Sequence, residues 1–144
     1  MRQDERETLR QQFQFRCGYC GVRERDAGAE LTVDHFQPSS QGGLHEAQNW
    51  VYCCHACNEF KGDHWQPDSP RRILHPLRDA TAPHLVEEED GTVRALTETG
   101  AFHIERLHLN RVNSSHIAAN AVFWGPPANR RPAFSKVSRN WKNK

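Results

Sequence analysis

From Asp4 to Gln14 the chain carries no Gly or Pro and is rich in Glu, Arg and Gln, with Leu9 and Phe13 four residues apart. That spacing predicts an amphipathic helix with both apolar side chains on one face. Beyond the small-residue stretch Ala27-Gly28-Ala29, the run Leu31-Thr32-Val33 predicts a short strand delivering Asp34 and His35. Phe36 to Asn49 contains Pro38, Ser39, Ser40 and Gly42-Gly43 and reads as a loop. Trp50-Val51-Tyr52 then reads as the return strand. Ala56 to Asp63 follows as a helix, closed by Gly62 or by Pro67. The unit is strand, loop, strand, helix.

A second pattern begins after Pro67-Asp68-Ser69-Pro70. The stretches His84-Leu85-Val86 and Thr92 to Leu96 flank Glu89-Asp90-Gly91, an Asp-Gly signal for a hairpin. Thr97-Glu98-Thr99-Gly100 opens a helix with Phe102, Leu107 and Leu109 among its apolar positions, and Asn113-Ser114-Ser115 looks like the cap of another. These elements predict an α+β chain in three parts. Residues 1–66 form a first unit with its N-terminal helix, 67–118 form an extension of hairpin and helices packed on it, and 119–144 form a tail.

Length and composition narrow the picture. A chain of 144 residues suffices for one domain with one modest core, and no apolar run reaches membrane-spanning length. The formal net charge of +1 conceals an asymmetry: residues 106–144 carry eight Lys or Arg and no Asp or Glu. In the tail, Arg130, Arg131, Lys136 and Arg139 alternate with Phe123, Trp124 and Trp141, a mixture suited to phosphate contact and base stacking. A solvated, poorly packed terminus explains the same residues.

Cysteine spacing changes the reading most. Cys17/Cys20 and Cys54/Cys57 form two Cys-x-x-Cys pairs. Four thiolates from two tight turns match structural Zn²⁺, tetrahedral with bonds of about 2.3 Å. Such a site is closed, and its role is to pin two distant turns together. The alternatives are two disulfides or a redox pair. Disulfides need an oxidising compartment, and Met1-Arg2-Gln3-Asp4-Glu5 lacks the apolar core of a secretion signal, so zinc and a cytoplasmic location are the expectation. Cys53 adjoins Cys54 and points the other way in an extended segment, as a small buried residue outside the ligand set.

Between the pairs lies a second constellation. Asp34, at a strand end, and Asn58, in the following helix, offer a carboxylate and an amide oxygen, hard ligands suited to Mg²⁺ or Mn²⁺. His35 stands beside them as a candidate base, because an imidazole can take a proton from water at neutral pH. A divalent cation would stabilise charge on a scissile phosphate and its leaving oxygen. An Asp-His dipeptide alone is weak evidence, but within the zinc frame it is strong.

The matching residues are Cys17-Gly-Tyr-Cys20, Asp34-His35-Phe-Gln-Pro38-Ser39-Ser-Gln-Gly42-Gly43, Asn49-Trp50 and Cys54-His-Ala-Cys57-Asn58-Glu-Phe-Lys61. Together they resemble the HNH endonuclease family, whose small ββα-metal module cuts phosphodiester bonds with one divalent cation. The resemblance covers residues 8 to 66 tightly, and His75 to Asp79 and Gly91 to Arg111 look like an extension of some bacterial members. It implies that Asp34 and Asn58 bind the catalytic cation, that His35 is the general base, and that Asn49 orients the loop bearing His35. Asn58 stands where many members have a second His, so the chain reads as an H-N-N variant favouring Mg²⁺ or Mn²⁺ over Zn²⁺ or Ni²⁺. Lys61, one helical turn past Asn58, is placed to contact phosphate or the transition state.

His45, His55, His64, His75, His84, His103, His108 and His116 lack comparable spacing logic. His55, inside the second pair, is a candidate support for the zinc site. The expected partner is nucleic acid, foremost double-stranded DNA, with no membrane, and with a homodimer or specificity partner as further candidates. The competing readings are a zinc-dependent nucleic-acid-binding module without hydrolytic activity, and a zinc adaptor that binds protein.

Overall fold

The computed structural model describes residues 1–111, a small α+β fold with two short hairpins and four helices among them. The first helix, α1 (Gln3–Gln12), begins where Glu5 reaches back to the backbone N–H of Arg2 at 2.8 Å. Asp4 and Glu5 in its first turn and Arg10 in its last suit the helix dipole. Its inner face buries Leu9, and Phe13 at its end is fully buried. The chain then reverses through Gln14 and Phe15, both at positive φ, into the first cysteine pair and the short helix α2 (Glu24–Ala27).

The central hairpin pairs β1 (Thr32–His35) with β2 (Trp50–Cys53). Its register is antiparallel, running from Thr32 opposite Cys53 to His35 opposite Trp50. Strand β1 therefore extends through Asp34 and His35, two residues past the β-branched run seen in the sequence. The pairing extends it, because Val51 and Trp50 supply partners for both. Two single 3₁₀ turns, Ser39–Gln41 and Ala47–Asn49, order the intervening loop. All four residues of β2 are buried, and Cys53 is fully buried outside the cluster of the other four cysteines.

Helix α3 (His55–Lys61) follows at once, with Cys54 as its N-cap, and packs against β1. It ends two residues before the expected Asp63, because Gly62 takes a positive φ at its C-cap.

Residues 68–111 fold over this unit. The second hairpin pairs β3 (Leu85–Glu87) with β4 (Val93–Ala95). Its turn closes through Gly91 N–H to Glu88 carbonyl and Glu88 N–H to Thr92 carbonyl, with Gly91 at φ 85°, a conformation natural to glycine. Thr97 caps α4 (Glu98–Leu107), its hydroxyl accepting from the Gly100 N–H at 3.0 Å. The sequence placed Leu109 within this helix; His108, left-handed at the C-cap, ends it first, yet Leu109 is buried beyond the end. Helix α4 packs on α3, where Arg106 donates to the Lys61 carbonyl at 3.1 Å. One apolar cluster runs from Leu9 through Val51 and Tyr52 to Leu107 and Leu109.

No helix among the described residues is long and apolar enough to cross a membrane. The predicted cap at Asn113-Ser114-Ser115 and the tail residues Arg130, Arg131, Lys136 and Arg139 lie outside the described residues.

Candidate metal centre and active site

The two Cys-x-x-Cys turns converge at the end of the hairpin where Thr32 faces Cys53. The Sγ atoms of Cys17, Cys20, Cys54 and Cys57 all lie within 4.8 Å of one another, with Cys20 and Cys54 3.8 Å apart. Tetrahedral bonds of about 2.3 Å require a sulfur separation of about 3.8 Å, so the donor set fits zinc. The backbone N–H groups of Cys20 and Cys57 each point at the sulfur three residues earlier, at 3.4 Å. Arg111, from beyond α4, brings one guanidinium nitrogen to 3.7 Å from Cys20 and Cys54 and 3.6 Å from Cys57. Burial pushes the Cys17 thiol well up, a cost that a cation among the sulfurs would offset. The four cysteines form a zinc site.

One residue inside the first pair faces elsewhere. Tyr19, almost fully buried, donates its hydroxyl to Asp34 Oδ2 at 2.7 Å. Burial raises its phenol well above the usual range, so it remains a donor. Lys61 Nζ lies 3.1 Å from Asp34 Oδ2 and 3.3 Å from Oδ1, and donates to the His35 carbonyl at 3.1 Å. Burial pushes the Asp34 carboxyl above its ordinary value, while Lys61, Tyr19 and His35 favour the ionised form. The Lys61 side chain is 1% exposed. Its ammonium is thus a partner of the Asp34 carboxylate, turned inward and not towards solvent.

Neighbouring strand residues point to opposite faces, and His35 accordingly meets different company. Its Nε2 lies 2.9 Å from Nδ1 of His45, and His45 in turn packs edge-on against Trp50. Asn49 staples the loop between the strands. Its Oδ1 accepts from the Gln37 N–H at 2.8 Å, and its Nδ2 donates to the carbonyls of Gln37 and Leu44 at 3.0 and 2.9 Å. Gly43 allows the fold-back, since a Cβ there would stand 1.8 Å from the Gln37 carbonyl oxygen.

Asn58 is half-buried on α3, one turn before Lys61. The hairpin and α3 thus bring Asp34, His35 and Lys61 together, with Asn49 fixing the loop and Asn58 on the adjoining helix.

Three contributors had no signal in the sequence. Tyr19 sits inside a knuckle, where nothing marks it as a partner of Asp34; His45 sits in the loop without spacing logic; Arg111 is fifty-four residues from its nearest sulfur partner. Of the other histidines, His103 is buried with Nδ1 accepting the Leu74 N–H at 2.9 Å, and burial lowers its pKa to about 3. It is a structural acceptor. His55 is exposed at the start of α3.

A sulfur-stapled hairpin and helix carrying a buried carboxylate, an adjacent histidine and a loop-fixing asparagine define a ββα-metal module. Residues 17–67, roughly a third of the chain, match the sequence model of the HNH endonuclease family, so the chain carries an HNH module over that span. Such a module supports a nuclease-type, metal-dependent action on nucleic acid. No curated protein and no solved structure matches the chain.

Proposed function

We propose that the protein is an endonuclease that hydrolyses phosphodiester bonds in DNA, with His35 activating water. The observation that carries this reading is the pairing of a buried, multiply bonded Asp34 with an adjacent His35 whose ring is oriented from one side. His45 Nδ1 accepts the Nε2–H of His35 in this assignment, which leaves the lone pair on His35 Nδ1. That nitrogen has no hydrogen-bond partner among the described residues. It takes a proton from water as the water oxygen attacks phosphorus, and the bond to the 3′-oxygen breaks. The departing oxygen gains a proton from solvent, leaving 5′-phosphate and 3′-hydroxyl ends.

Asp34 and Asn58 would hold one Mg²⁺ or Mn²⁺. When bound, the cation stabilises negative charge on the scissile phosphate and on the leaving oxygen. Tyr19 and Lys61 keep the Asp34 carboxylate ionised and aimed, and Asn49 fixes the loop that follows His35. Lys61 is a positioning residue for Asp34.

The test is nicking of supercoiled plasmid by the zinc-loaded protein with and without added Mg²⁺ or Mn²⁺, alongside Asp34→Asn. Nicking that needs the added cation and is lost in the variant supports the reading; cation-independent nicking contradicts it. The Lys61 ion pair on Asp34 favours a second reading, a nucleic-acid-binding module without hydrolysis. Salt-sensitive DNA binding with no nicking at any cation concentration would select it.

A further inference from the structure

Beside the Asp34–Lys61 pair lies a cavity of about 440 Å³ that the hydrolytic reading does not use. Phe36 and Lys61 contribute to its wall, so it adjoins the site through the residue next to His35 and through the partner of Asp34. The opposite side comes from the segment after α3: Trp65, Arg72, His75 and Arg78. Its volume lies within the range of roughly 300–1,000 Å³ in which proteins hold small organic groups.

The chemistry of the wall is mixed in a particular way. Phe36 meets Trp65 edge-on with centroids 5.8 Å apart and His75 edge-on at 4.5 Å, giving an aromatic floor. Arg78 lies over Phe36 at 5.6 Å and is exposed, with no carboxylate partner among the described residues. Arg72, by contrast, is paired with Asp79 at 3.1 Å. His75 is 3% exposed, and its Nδ1 accepts the backbone N–H groups of Leu77 and Arg78 at 3.1 and 3.2 Å. The ring proton therefore resides on Nε2, which is buried without a partner among the described residues. Burial lowers the pKa of His75 to about 4, so the ring is neutral and this N–H is a fixed donor.

Aromatic surface and a guanidinium with no carboxylate partner among the described residues suit a nucleotide unit: stacking for the base and a cation for its phosphate. We propose that this cavity is a nucleotide subsite that receives the base next to the scissile phosphate, packed against Trp65, with Arg78 on the adjoining backbone phosphate. The subsite rests on the nuclease reading for its substrate. It explains how a ββα unit grips a strand that is unpaired or locally opened at the cut.

The test is fluorescence anisotropy of zinc-loaded protein, without added divalent cation, using a labelled single-stranded oligothymidine and an all-abasic oligomer of equal length. Trp65→Ala weakens binding of oligothymidine about tenfold, the scale of one stacked base, and leaves the abasic oligomer unchanged. Trp65→Phe restores most of the loss, which separates stacking from a folding defect. Arg78→Gln, at an exposed position, weakens both oligomers alike and lowers the salt dependence. Equal weakening of both oligomers by Trp65→Ala, or no weakening of either, overturns the subsite. Because only binding is read, plasmid nicking by the same wild-type preparation reports independently on the nuclease reading.

Discussion

The two ends of the central hairpin use the same strands for opposite purposes. Where Thr32 faces Cys53, four buried sulfurs close on one another, receive N–H groups from both knuckles and are covered by Arg111. Where His35 faces Trp50, the groups are a carboxylate, an imidazole and amides, and the loop beyond them is exposed at Gln41, Leu44 and His45. Soft, sealed ligands at one end supply folding energy; the polar groups at the other are those to which the proposed function assigns chemistry. Tyr19 connects the two, since it lies between Cys17 and Cys20 and bonds to Asp34. The zinc knuckle therefore does more than hold the chain together. It positions the carboxylate on which the proposed chemistry depends.

Breaking the sealed end has the largest expected effect. Structural zinc in small modules contributes roughly 10–16 kcal/mol of apparent binding energy, comparable to the whole stability of a domain. Cys57→Ser is expected to abolish the cooperative thermal transition followed by circular dichroism; a normal transition would separate the fold from the metal. At the other end, Lys61→Met leaves Asp34 buried without its cation, and removing one partner of a buried pair costs about 3–5 kcal/mol. Urea unfolding measures this directly, and a loss under about 1 kcal/mol would show that Asp34 does not need the pair.

Arg111→Ala probes the cover over the sulfurs. Loss of an outer partner of a metal site typically lowers affinity 10–100-fold. Competition with a chromogenic chelator should show that change, and unaltered zinc affinity would make Arg111 a bystander. A pH-dependent effect belongs to a region remote from both ends. His103 binds a proton only near pH 3 when folded but near 6.5 when unfolded, so the unfolded chain gains protons first as the pH falls. Stability should decline below about pH 6.5, by up to about 1.4 kcal/mol per pH unit, until the folded-state value is reached. A flat profile between pH 6 and 4 would contradict the buried, neutral assignment.

Much of the sealed end is legible in the residues alone, because ligand type and Cys-x-x-Cys spacing are local properties. Both strands, the return through Trp50 and the helix after Cys54 follow from pattern and punctuation. Element edges are less legible, because tertiary partners decide them. Asp34 and His35 belong to β1 because Val51 and Trp50 pair with them, and Leu109 is buried although its helix has ended. The open end is less legible. Asp34 and His35 stand out as a dipeptide, but Tyr19, His45 and Arg111 act through contacts that sequence separation conceals. Lys61 shows the same limit from the other side: helical spacing placed it near the site, and only the packing of α3 on β1 turned it inward onto Asp34.

The most direct test of the division between a folding end and a chemical end is the nicking rate of His35→Ala, measured with Mg²⁺ beside its zinc content and melting temperature. Removal of a general base predicts a rate at least about a hundredfold lower with zinc content and melting temperature unchanged. Undiminished nicking would contradict the account, for His35 would then not be the base and the open end would have no assigned chemistry.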